Sequence, residues 1–107
     1  FGHALIATED PAQLDEAERV LRAAVSRDRM NPWAWFQLGR IYGMRGDIPR
    51  AQLASAEQQV LQYNFPAALR SAESAQAGLP KGSADWIRAG DIAMQSRSAI
   101  EQQRKRR

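Results

Sequence analysis

Apolar side chains recur along this chain at intervals of three and four residues, the spacing that lines one face of a helix. Leu14, Ala17, Leu21, Ala24 and Val25 form such a stripe over residues 11–27. Asp10 stands where it can cap that helix, and Pro11 suits the first turn, where its missing N–H would find no partner anyway. Acid-before-base pairs four residues apart, Asp15–Arg19 and Glu18–Arg22, fit the solvent face. Residues 32–45 repeat the pattern with Trp35, Leu38, Gly39 and Tyr42, behind an Asn31 cap and Pro32. Gly46-Asp47 then serves as stop and start. The glycine takes the left-handed position past one helix, and the aspartate accepts from the orphan N–H groups of the next.

A third helix over 49–62 carries Ala51, Leu53, Ala54, Val60 and Leu61, and Asn64-Phe65-Pro66 breaks it. A fourth over 66–77 carries Ala68, Leu69, Ala72 and Ala75 and stops at Gly78-Leu79-Pro80. A fifth, near 84–103, follows a Ser83 cap with Trp86, Ile87, Gly90, Ala93 and Met94 and, more weakly, Ile100. Phe1–Ile6 reads as the end of a further helix near 1–8. No segment alternates apolar and polar residues as a strand would, so the expected fold class is all-α.

Turns this short make consecutive helices antiparallel neighbours. Pro32 and Pro66 lie 34 residues apart, the period of the tetratricopeptide repeat. The expected architecture over 1–103 is a set of antiparallel helical hairpins stacked as a short right-handed superhelix, an α-α solenoid with a single elongated interior. The segment 66–77 also fits the second helix of a repeat through Ala68, Ala72, Ala75 and Pro80; the period favours reading it as a first helix.

The residues of 14–51 resemble a tetratricopeptide repeat boundary. A small–large–small helix (Ala17, Leu21, Ala24-Val25) precedes Trp35…Leu38-Gly39…Tyr42, the W-x-x-L-G-x-x-Y pattern, and then Gly46-Asp47 and Ala51. A narrower resemblance extends further. The L-G-x-x-Y-x-x-x-G-D of residues 38–47 and the L-P-x-G-S-x-x-W-x-R-A of residues 79–89 are similar to the C-terminal repeat region of periplasmic gluzincin metalloproteases, kin of the barrel-assembly-enhancing protease. That resemblance implies a periplasmic protein whose protease domain lies upstream of Phe1. The family's zinc-binding H-E-x-x-H is not in this sequence, so no catalytic or metal role carries over to any residue here.

Composition narrows the choice. The chain has 107 residues, of which 44% are hydrophobic and 25% charged, which excludes disordered and collagen-like classes and suits one domain. No apolar run approaches the ~18 residues of a membrane span. Cysteine is absent and His3 is the one histidine, too few ligands for a zinc site. The first residue is Phe1, with no basic or apolar leader after it, as expected of a fragment or processed product. The formal charge is +3, but the last four residues, Arg104–Arg107, are all basic, and without them it becomes −1. The positive charge therefore reads as a solvated tail, 104–107, and not as a nucleic-acid groove. The serines have no histidine base or G-x-S-x-G elbow, and the carboxylate pairs lie at turns or on charged faces. The expectation is a non-enzyme without cofactors.

The informative surface is what the buried stripes leave over. Trp33, Phe36, Arg40 and Met44 follow one another along a second face of the 32–45 helix, and the period places Ala67, Arg70 and Ser74 as their counterparts. In the tetratricopeptide family this face lines the concave groove that holds peptides. The resemblance thus implies a protein or peptide site with Trp33 and Phe36 as anchors, Arg40 and Arg70 as cations, and Met44 and Ser74 beside them. Lysine and asparagine, which clamp a C-terminal carboxylate in such repeats, are replaced here by Phe36 and Arg40, so a carboxylate clamp is not expected. The competing reading is self-packing: Trp33 and Phe36 cover residues 1–7 or upstream helices. The partners that the resemblance implies include the chain's own upstream protease domain. Two rivals complete the set: a free-standing repeat scaffold of a secretion or pilus assembly system, and an anionic-surface binder acting through Arg104–Arg107. A homodimer through exposed repeat ends would use Phe1, Ile6 and Val20.

Overall fold

The computed structural model describes residues 11–105, with side chains from Leu14 onward. The expected helix near 1–8, the Asp10 cap, His3, and the dimer-edge residues Phe1 and Ile6 lie outside the described residues, as do Arg106 and Arg107. Five helices follow in order: α1 Pro11–Arg27, α2 Pro32–Met44, α3 Ile48–Leu61, α4 Phe65–Gly78 and α5 Ala84–Lys105. Among the described residues there is no strand.

Local chemistry sets the boundaries. Asn31 accepts from the backbone N–H groups of Trp33 and Ala34 at 3.1 and 3.3 Å, and Asp47 from that of Arg50 at 3.4 Å. Ser83 Oγ accepts from Trp86 N–H at 3.1 Å, which starts α5. Gly46 adopts φ +77, the left-handed turn expected between α2 and α3. Asn64 makes no side-chain cap; Tyr63 just before it holds φ 59, a conformation that costs a non-glycine residue about 1–2 kcal/mol. One boundary needs correction. α5 runs two residues past its expected end at 103, through Arg104 and Lys105, which stand in its last turn beside the negative end of the helix dipole.

Consecutive helices pack on one another, and α5 also touches α3. Among the described residues α2 and α4 do not pack together, nor do α1 and α3. The core accordingly falls into two clusters and not one interior. Leu14, Ala17, Leu21, Leu38, Ile41, Tyr42 and Ala54 belong to the first, between α1, α2 and α3. Leu53, Ala56, Ala68, Ala72, Ala75, Ala89, Ile92 and Ala93 belong to the second, between α3, α4 and α5. α3 serves both, since Leu53 and Ala54 project about 100° apart around the helix. Small residues dominate the second cluster, which lets α4 lie close to both of its neighbours.

Two expected faces are rotated from the sequence reading. On α5 the buried residues are Ala89, Ile92, Ala93 and Ser96, whereas Ile87 and Met94 are exposed. On α2, Leu38 and Tyr42 are buried as expected, Ala34, Gln37 and Ile41 join them, and Trp35 is half-buried. On α1, Glu18 does pair with Arg22, at 3.3 Å. Arg19 instead pairs with Glu16 and Asp15 with Arg45, so Asp15 ties α1 to the end of α2 in place of an intrahelical pair.

Two glycines make opposite demands. A Cβ on Gly39 would stand 3.6 Å from Ala51 O and Ala54 Cβ, an ordinary contact; a Cβ on Gly78 would meet Pro49 Cγ at 2.6 Å. Gly39→Ala is expected to leave stability unchanged or raise it by up to about 1 kcal/mol through helix propensity. Gly78→Ala is expected to lower it by about 1–3 kcal/mol, because the proline ring cannot swing aside. Urea unfolding of the two variants checks this contrast.

Candidate functional site

α2 presents two unlike sides to solvent. Trp33 (49% exposed), Phe36 (47%) and Met44 (45%) lie with exposed Arg40 on the side away from the buried stripe. A helix that buries Leu38 and Ile41 yet leaves two aromatic rings half open carries more apolar surface than folding requires. Arg40 has no acidic partner within bonding distance among the described residues. Arg70 and Ser74 are exposed on α4, but α3 stands between α2 and α4, so the six expected site residues form two groups on separate helices. Val20, on α1, is half-buried.

The other side of α2 floors a cleft that sequence reasoning did not anticipate. Because α1 and α3 do not meet, a space of about 350 Å³ opens between them, closed at one end by the start of α5. Trp35, Leu38 and Tyr42 rise from α2, with Val25 of α1 and Leu53 of α3 as apolar walls. Around this floor stand Arg22, Arg29, Arg50 and Arg88, with Glu57 and Asp85.

Glu57 organises the polar part. It is 5% exposed, within α3, and takes two hydrogen bonds from Arg88 of α5, Nε at 2.8 Å and Nη2 at 2.7 Å. Such a parallel fork is the strongest geometry open to a guanidinium and a carboxylate. Arg29 Nη2 donates to the same carboxylate at 3.2 Å. The hydrogen bond to Glu57 holds the Arg88 guanidinium above its ordinary pKa, against a smaller opposing effect of burial. Arg29 is fixed twice more: Trp35 Nε1 donates to its carbonyl at 2.8 Å, and its guanidinium lies 5.9 Å from the centre of the same indole ring. Trp35 therefore sets the loop between α1 and α2 as well as packing against the first cluster. Nearby, Arg50 pairs with Asp85 at 3.3 Å and Asp47 at 3.6 Å.

These contacts explain the second sequence motif in structural terms. Leu79 is buried, Gly82 turns at φ +84, Ser83 caps α5, Trp86 lies on the second cluster and Arg88 holds Glu57. Each residue in that list serves the start of α5. Charged residues inside apolar stripes were the available signal for the pair: Glu57 follows Leu53-Ala54 by three to four positions, and Arg88 sits between Trp86 and Ala89. Among the described residues no group of three or more potential metal ligands lies together, and no helix is long and apolar enough to cross a membrane. A scan against protein-family models finds no match for this chain, and neither does a search of curated proteins.

Two outcomes follow from the cleft. Glu57→Ala leaves Arg88 and Arg29 facing each other without their acid and should cost about 2–4 kcal/mol in denaturant unfolding. Burial raises the Tyr42 hydroxyl above the ordinary value of 10.0, opposed by Arg22. The folded state thus holds that proton more tightly than the unfolded chain. Its stability should be full below about pH 10 and fall as pH rises from there through the folded-state value. Tyr42→Phe should remove this part of the alkaline loss in unfolding curves taken at stepped pH.

Proposed function

We propose that this chain is a non-catalytic protein-interaction module, built of stacked helical hairpins in the manner of tetratricopeptide repeats and serving as the C-terminal region of a periplasmic zinc metalloprotease. The half-open pair Trp33 and Phe36, with Met44 about two turns further along the same side of α2, carries the reading. Aromatic side chains and arginine are the residue types that dominate binding energy at protein interfaces, and Arg40 completes the set. The surface suits a protein segment that offers apolar side chains to the rings and an acid to Arg40. Arg70 and Ser74 on α4 extend it if the segment crosses α3. The W-x-x-L-G-x-x-Y and G-D residues support the repeat assignment, and the residues of 79–89 support the protease kinship.

The pair can be removed at little structural cost because each ring is already about half in water. A Trp33→Ala, Phe36→Ala double variant is expected to keep its helical circular dichroism and lose about 1 kcal/mol or less of stability. In capture experiments from a bacterial envelope extract it should no longer retain proteins that the parent chain retains. A folded double variant that captures the same proteins in the same amounts overturns the assignment of this face.

A further inference from the structure

We propose that the cleft between α1 and α3 is a second binding site, which takes an acidic–aliphatic peptide segment of a partner protein. It is independent of the face carrying Trp33, since residues 33 and 35 point about 160° apart around α2. Four guanidiniums and two carboxylates line the cleft. Glu57 is already matched by the two-pronged Arg88 and Asp85 by Arg50, while Arg22 pairs with Glu18 at 3.3 Å. Among the described residues Arg29 is the surplus: it shares an acid whose charge Arg88 has met.

Arg29 is also held in place. Its backbone is bonded by the Trp35 indole, its guanidinium lies near the ring face, and 57% of its side chain remains open to solvent. A fixed, partly desolvated and incompletely neutralised guanidinium beside an aromatic plane is a receptor for a carboxylate. Below it the floor of Leu38 and Tyr42 and the wall of Leu53 call for an aliphatic neighbour. The volume of about 350 Å³ is at the small end of ligand sites and admits two or three side chains. A nucleic acid would need a line of cations spaced along a backbone, and the paired arginines here do not supply one.

The test uses the 15N-labelled chain and a short, doubly capped peptide alternating glutamate and leucine, with two comparison probes: the glutamine–leucine counterpart and oligothymidylate. The glutamate peptide should shift the indole N–H resonance of Trp35 and the Nε–H of Arg29, with affinity falling as salt rises. The glutamine peptide should bind about tenfold more weakly, the loss of one charge-assisted contact. Arg29→Gln, which leaves the Glu57–Arg88 fork intact, should produce the same loss, and Arg22→Gln a smaller one. Arg104→Gln, at the far end of α5, should bind as the parent does. The proposal is overturned if neither indole nor guanidinium responds at millimolar peptide, if both peptides bind alike, if Arg29→Gln binds as tightly as the parent, or if oligothymidylate alone moves the Trp35 resonance.

Discussion

A carboxylate inside a helical stack must be met by cations, and Glu57 imposes that requirement on three separate parts of the chain. It sits on α3, the helix common to both core clusters, and draws Arg88 from α5 and Arg29 from the loop after α1. Leaving water costs such a group several kcal/mol, which the forked guanidinium and the second arginine offset. The apolar clusters supply most of the burial free energy, but they are non-directional. The acid adds a directional condition: α5 must begin where Arg88 reaches it, and the α1–α2 loop must fold over it. The turn at Gly82, the Ser83 cap and the bond from Trp35 to the loop carbonyl all serve that condition.

The helices were legible because their ends are written in local chemistry. Proline at the first turn, Asn31, Asp47 and Ser83 as caps, and Gly46 between α2 and α3 act within four residues, so no tertiary knowledge is needed to place them. The faces were less legible. On α5 the expected stripe holds at Ala93, but Ile87 and Met94 stay exposed, and where α4 comes close Ala89, Ile92 and Ser96 are buried in their place. Size counts for burial only where there is room. The exposed side of α2 was read correctly from spacing alone, whereas its grouping with Arg70 and Ser74 relied on a period, and a period does not say which helices touch. The cleft was illegible for a related reason: it exists because α1 and α3 fail to meet, and a gap leaves no mark on either sequence.

α2 emerges as the helix with two audiences. One side holds half-open rings and a single cation, Arg40. The other contributes Trp35 and Tyr42 to a floor ringed by arginines. Between them the buried stripe fixes the rotation of the helix, so neither side can turn toward the other's role. The near-neutral charge of the body hides this arrangement, since the acids that balance the arginines are spent in pairs. What distinguishes the cleft is the pairing left over once those matches are made.

The uneven sharing of neighbours also grades cohesion along the chain. α3 is braced by α2, α4 and α5, while α1, among the described helices, rests on α2 alone and is pinned at its start by Asp15 to Arg45. In a stack held by nearest-neighbour contacts, the segment with one neighbour opens most readily. Amide protons of α1 would therefore be the first to trade with deuterium and those of α3 the last. Any molecule wedged between α1 and α3 would erase that gradient by giving α1 a second wall to lean on.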